Sequence, residues 1–218
     1  MIIAIVGATG NLGKELIKEG LLRGHTLRAI APHADTADCD VRVERFKGSD
    51  RDTTVLLQAF HAADAIITIF PARLAHPETY ADEIRNILYA AQRAGVQRVI
   101  GLVGSSGAKV STGKHLVDTD YFQETTRHYY QNVHASWDAY RENTTLDWTA
   151  VVPAARMQIH MKSHGTYRTR TDEHLVVTDL ASRRYFDVSQ ISYADCARAL
   201  LDELHTRDHI RQFVSVGY

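Results

Sequence analysis

Gly7, Gly10 and Gly13 recur at a spacing of three, directly after the apolar run Ile2-Ile3-Ala4-Ile5-Val6. A strand that runs through such a turn into a helix points the helix's first backbone N–H groups at whatever fills the turn. A pyrophosphate suits that place, because amide hydrogen bonds and the helix dipole both favour an anion there. Each glycine has a separate task. Gly7 permits the tight turn, Gly10 removes a side chain that would block the phosphates, and Gly13 lets helix and strand pack closely. Ala8, Thr9, Asn11 and Leu12, which lie between them, are expected to share the dinucleotide contact. Beyond the turn, Leu12, Leu16, Ile17 and Leu21 form an apolar helical stripe, and Gly24 stands where a helix-ending glycine belongs. A second strand, 26–31, follows at once.

Other reactive side chains offer less. There are 12 histidines, and His160 and His164 have the spacing of a helical metal pair, yet no third ligand stands at a recognisable distance. No metal is expected. Cys39 and Cys196 are the only cysteines and form no Cys-x-x-Cys motif, which suits reduced thiols in the cytoplasm. The formal net charge of -1 gives no basic footprint for nucleic acid. No apolar run approaches the ~20 residues that span a bilayer. The first residues serve better as a strand than as a secretory leader.

The elements that position the turn alternate between strand-like and helix-like. Residues 41–46, 65–70, 99–103 and 146–153 read as further strands, with 65–70 almost wholly apolar as a central parallel strand should be. Asp52 is placed to cap a helix through Val55, Leu56, Leu57 and Phe60. A long helix carries Tyr80, Ile84, Ile87, Leu88 and Ala91 on one face and ends at Gly95, and another is expected near 123–143, with Trp137 and Tyr140 in the core. Asp195 is expected to open the last helix as a capping carboxylate. The pattern predicts an α/β fold of Rossmann type: a doubly wound, mostly parallel sheet with helices on both faces. Residues 1–218 read as one dinucleotide-binding domain.

The turn 7–13, the segment Leu146-Asp147-Trp148-Thr149 and Pro153-Ala154-Ala155 resemble the atypical short-chain dehydrogenase/reductases. Gly165-Thr166-Tyr167-Arg168, Ile191-Ser192-Tyr193-Ala194-Asp195 and Phe213-Val214-Ser215-Val216-Gly217-Tyr218 narrow the resemblance to the NAD(P)H-binding NADH-flavin reductase group and its NmrA-like relatives. The resemblance implies that residues 1–218 form a single NAD(P)-binding Rossmann domain that uses a nicotinamide cofactor to reduce a planar acceptor such as a flavin, FMN for example, or a quinone, in a pocket built mainly by the C-terminal part. Ordinary short-chain dehydrogenases use Tyr-x-x-x-Lys to move the substrate proton, and no tyrosine here has a lysine four residues on. A flavin or quinone makes less demand, since its ring takes the hydride and solvent can supply the proton. The missing pair also disfavours a sugar-nucleotide epimerase. It fits equally a catalytically inactive NADP(H)-sensing regulator acting through a protein partner, the alternative to the reductase.

The same resemblance distributes the remaining contacts. Strand two ends Ala31-Pro32-His33 with no acid to grip a ribose 2′-hydroxyl; Asp35 comes later, and an arginine common in relatives is replaced by Pro32. NADP(H) is therefore favoured over NAD(H), with His33 and Arg28 as sources of positive charge. Ser49 and Asp50 are placed near the adenine, Phe70, Pro71 and Ala72 near the ribose on the nicotinamide side, and Gly104 under the nicotinamide. Pro153 ends strand six, where backbone groups hold the carboxamide. Gly104 stands where many relatives carry an active-site serine, so Ser105 is the candidate catalytic residue, with Ser106 beside it and a plain turn serine as the other reading. Tyr121-Phe122, His128-Tyr129-Tyr130 and the 160–164 region are candidates for an aromatic lid. The expected partner is a small planar acceptor, with no nucleic acid and no membrane, for a cytoplasmic monomer or homodimer.

Overall fold

Strand β1 (Ile2–Val6) is the pivot of the sheet. It pairs in parallel with β2 (Thr26–Ala31) on one side and β4 (Ala65–Ile69) on the other. The structure, a computed structural model, describes residues 1–33, 40–69, 76–120, 122–158, 160–175 and 189–218. Outward from β2 lies β3 (Val43–Lys47). Outward from β4 lie β5 (Arg98–Leu102), β6 (Asp147–Pro153), β10 (Gln212–Gly217) and β8 (Arg168–Arg170), in the order β3-β2-β1-β4-β5-β6-β10-β8. Among the described residues, the strand pairings of this sheet are parallel except β8 against β10. The chain builds β2 and β3 on one side of β1, then returns to start β4 on the other. A doubly wound sheet opens its ligand crevice at that reversal. Two short strands, β7 (Arg156–Gln158) and β9 (Gln190–Ser192), form a separate parallel pair.

Helices cover both faces. On one, α1 (Asn11–Leu22) and α6 (Tyr193–Thr206) bury Leu12, Leu16, Ile17, Leu200, Leu201 and Leu204. On the other, α2 (Thr53–Phe60) and α3 (Tyr80–Ala94) pack Phe60, Ile84 and Leu88 beside Trp137, Tyr140, Trp148 and Phe213. Each of these side chains contributes roughly 1.5–3 kcal/mol on removal from water. The expected caps are present. The Asp52 carboxylate accepts the amide of Val55 at 3.1 Å, and Gly24 and Gly95 end their helices at φ +79° and +77°.

Four differences from the sequence pattern each have a local reason. β3 begins at Val43, because Asp40 holds 40–43 in a turn and Val41 is 99% exposed. β5 begins at Arg98, a charged residue only 2% exposed, whose guanidinium is neutralised by Glu203 at 3.0 Å and also donates to Asp147 O and Thr149 Oγ1. The helix expected near 123–143 is two, α4 (Glu124–Ala135) and α5 (Asp138–Arg141). Buried Ser136 interrupts them by donating its hydroxyl to Val133 O at 2.6 Å, in competition with the helical ladder. The cap of α6 is Ser192, not Asp195: the Ser192 hydroxyl accepts the Asp195 amide at 3.0 Å.

Candidate functional site

The turn after β1 is held by its neighbours before any ligand is considered. The amides of Gly7 and Ala8 both donate to Ile30 O of β2, at 3.0 and 3.3 Å. Gly7 sits at φ +88°, and a Cβ there would approach Ile69 O of β4 at 3.1 Å. At Gly13 a Cβ would lie 2.3 Å from Ala8 O, so only hydrogen lets α1 sit this close to the turn. Gly10 differs from both. It is the N-cap of α1 with ordinary dihedrals and no side-chain cap, and a Cβ there would meet only Gly7 O, at 3.5 Å. The protein itself does not require glycine at that position. The space it leaves is part of a cavity.

That cavity has a volume of about 460 Å³ and follows the strand ends in sheet order. Gly48, Ser49 and Asp50 close one end after β3. Ile30, Ala31 and Pro32 follow at β2, then Val6, Gly7, Thr9, Gly10, Asn11 and Leu12 at β1 and the start of α1. Ile69 of β4 and Leu102 of β5 continue the floor, and Met157 and Tyr193 close the far end. From β3 to β5 is four strand spacings, roughly 19 Å at ~4.8 Å each. Asp50 is the single acid among the described residues that line it, 5% exposed, with its carbonyl accepting Asn86 Nδ2 at 2.7 Å. The amide of Arg51 donates to Ser49 Oγ at 3.2 Å, fixing that hydroxyl at the mouth.

The lining thus contains Gly7, Thr9, Gly10, Asn11, Leu12, Ser49 and Asp50 from the residues singled out in the sequence. Ala8 and Gly13 lie behind it, buried in the turn and the helix contact. His33 is exposed just past β2, and Arg28 faces away, donating to Ala59 O and His61 O and pairing with Glu44. Pro153 is buried at the end of β6 beside Val216 of β10. Gly104 makes room for packing: its carbonyl accepts Trp137 Nε1 at 3.2 Å, and a Cβ would lie 2.3 Å from Val133 Cγ1. Ser105 opens the next short turn, partly buried and off the described lining, and Ser106 is buried beside it. Phe70, Pro71, Ala72, Tyr121, Asp35 and Cys39 lie outside the described residues.

The aromatic candidates pair with one another. The Phe122 and Tyr130 rings lie 4.0 Å apart, tilted by 33°, Tyr129 meets Tyr130 edge-on, and the Tyr129 and Tyr80 hydroxyls are 3.5 Å apart. Burial raises the Tyr129 and Tyr130 hydroxyls above the ordinary tyrosine range. His160 and His164 lie in an irregular segment, so their spacing puts them on no helical face, and His164 stacks on Tyr218 at 3.8 Å.

A family model described as NAD(P)H-binding matches residues 7–207, from the glycine turn to just past the end of α6. This chain belongs to the NAD(P)H-binding family. Its fold is accordingly an NAD(P)-binding Rossmann fold. The chain is 27% identical to the uncharacterized protein YwnB of Bacillus subtilis over 213 residues, 96% of this chain and 94% of that one. A Streptococcus pneumoniae structure with the provisional name NADH-flavin reductase is 24% identical, with a TM-score of 0.81 over 100% of this chain and 99% of that one. A short-chain dehydrogenase/reductase from Veillonella parvula, solved in complex with NADP, is 18% identical, with a TM-score of 0.77 over 100% and 94%. Fold neighbours include a provisional epimerase as well as the provisional reductase, so the fold does not choose the reaction.

Met157 and Tyr193 were not assigned to the site from the sequence. Tyr193 stands inside the 191–195 motif, and Met157 follows Pro153-Ala154-Ala155, so the motifs that carried the resemblance contained the signal. Among the described residues no helix is long and apolar enough to cross a membrane.

Proposed function

We propose that this family member is an NAD(P)H-dependent reductase that passes a hydride to a planar acceptor such as a flavin or a quinone. The observation that carries it is the cavity: a glycine cradle at the start of α1 in its middle, and an apolar far end of Leu102, Met157 and Tyr193. On this reading the amides around Gly10 and Asn11 hold the pyrophosphate. Ser49, Asp50 and Pro32 take the adenosine end, and the nicotinamide reaches the Met157 end. Phe70, Pro71 and Ala72 remain assigned to the adjoining ribose, Gly104 and Pro153 to the nicotinamide's surroundings, and Ser105 to a proton-donating role. When bound, NAD(P)H supplies the hydride; the acceptor gains it together with a proton from solvent or Ser105 and leaves as the reduced ring. The chain's own work is orientation and exclusion of water, which suits a site without Tyr-x-x-x-Lys. NADP(H) is favoured, since Pro32 rather than an acid lines the end of β2 and a neighbour of the same fold is an NADP complex. The whole of 1–218 acts as one nucleotide-binding unit in this proposal.

The test is oxidation of NADPH and NADH, followed by loss of nicotinamide absorbance, with FMN, riboflavin or a small quinone as acceptor. Turnover well above the enzyme-free rate is expected, faster with NADPH. Tight nucleotide binding without turnover of any acceptor would overturn the proposal.

A further inference from the structure

Asp195 is wholly buried, yet it stands outside the lining of the cavity above and does not supply the cap of its helix. Its carboxylate accepts five hydrogen bonds. Ser192 Oγ donates at 2.9 Å and Arg198 Nη1 at 3.0 Å from within its own helix region. The other three come from far along the chain: Tyr218 Oη at 2.5 Å, Ser163 Oγ at 2.7 Å and the His164 amide at 2.8 Å. Burial pushes the carboxyl pKa up, but the bonds from Tyr218, Ser163, His164 and Ser192 outweigh it and hold the group below the ordinary aspartate range.

Helix capping does not need this arrangement. The Ser192 hydroxyl already caps α6, and the Ser192 amide finds the Tyr218 hydroxyl at 3.1 Å. The carboxylate instead ties three segments together: the irregular stretch 161–165, the start of α6, and Tyr218, whose ring also stacks on His164. Tyr193, two residues before Asp195, forms the far end of the cavity with Met157, and β7, which carries Met157, is held by β9, whose last residue is Ser192. We propose that Asp195 is a positioning residue that holds Tyr193 and the 161–165 segment as a preformed wall for the acceptor. The acceptor part rests on the reductase reading; the tying of the segment does not.

The experiment compares wild type with Asp195→Asn, which keeps the shape and removes the charge. Lys162 is exposed beside Ser163, so trypsin cleavage after Lys162, followed by mass spectrometry, reports release of the segment without any turnover. Cleavage about tenfold faster is expected, the scale of one lost charge-assisted hydrogen bond. NADPH affinity should stay within about threefold, and the acceptor KM should rise about tenfold with a smaller change in kcat. Unchanged cleavage in a folded variant would overturn the positioning role. Faster cleavage with unchanged acceptor KM would overturn the wall assignment. An inactive wild type would count against the reductase reading and leave the cleavage arm intact. Should Asp195→Asn fail to fold, Ser163→Ala removes one donor of the segment while leaving the α6 cap in place, and faster cleavage after Lys162 is again expected.

Discussion

The middle of the cavity and its far end are built by different means. Around residues 6–13 the protein uses backbone alone: three glycines, two amides on Ile30 O and a helix start without a side-chain cap. Around residues 156–195 it uses side chains gathered from distant segments, with a buried carboxylate at the centre of five hydrogen bonds. A backbone cradle suits a ligand part that never varies, such as a pyrophosphate, because it offers amides in a fixed array. Side-chain walls suit the part that differs between relatives. One fold can thus keep its cofactor while its acceptor end changes.

The largest expected effect separates binding from folding in the cradle. Gly10→Val places a side chain in space that only Gly7 O borders, so the thermal midpoint should move by a few degrees at most. NADPH affinity should fall at least about 100-fold, or about 2.7 kcal/mol, as the phosphate contacts are lost. Calorimetric titration beside a melting curve reads both, and a variant that unfolds would make Gly10 structural. Gly13→Ala reverses the pattern. Its methyl would press on Ala8 O, so a stability loss of about 1–3 kcal/mol in urea unfolding is expected. Asp52→Ala removes a cap remote from the cradle's amides. It should cost about 1 kcal/mol and leave nucleotide affinity unchanged, a control that distinguishes general destabilisation from damage to the cradle.

The smallest effect sharpens the other end. The Asp195 carboxyl titrates below its unfolded value, so its contribution is complete above about pH 4 and fades as pH falls through the lower folded value. Hydrogen exchange at the His164 amide should therefore accelerate below about pH 4 in wild type, and show no such step in Asp195→Asn. An identical acid profile in both proteins would remove Asp195 as the anchor of that segment.

The same contrast decides what could be read from the sequence. The Gly7–Gly13 turn, the Asp52 cap and the left-handed Gly24 and Gly95 were legible because each depends on residues within one or two helical turns. The parallel sheet was legible from its apolar runs, but β10 and antiparallel β8 were not: β10 takes its place only through pairing with β6, far back in the chain. Charged Arg98 joins β5 because Glu203 meets it inside the protein, and Ser136 splits a helix that its neighbours' spacing favoured. Met157 and Tyr193 reach the cavity through tertiary packing, and only their place in or just after the 191–195 and 153–155 motifs signals them. Asp195 looked like a cap since it stands near a helix start, and only the fold brings Ser163, His164 and Tyr218 to it.

The central claim is the orientation of the dinucleotide along the strand ends, and a crystal structure of the NADP⁺ complex tests it most directly. The account predicts the pyrophosphate against the amides at Gly10 and Asn11, the adenosine at Ser49 and Asp50, and the nicotinamide beside Leu102, Met157 and Tyr193. A nicotinamide at the Ser49 end, or a nucleotide bound away from the glycine turn, would contradict it.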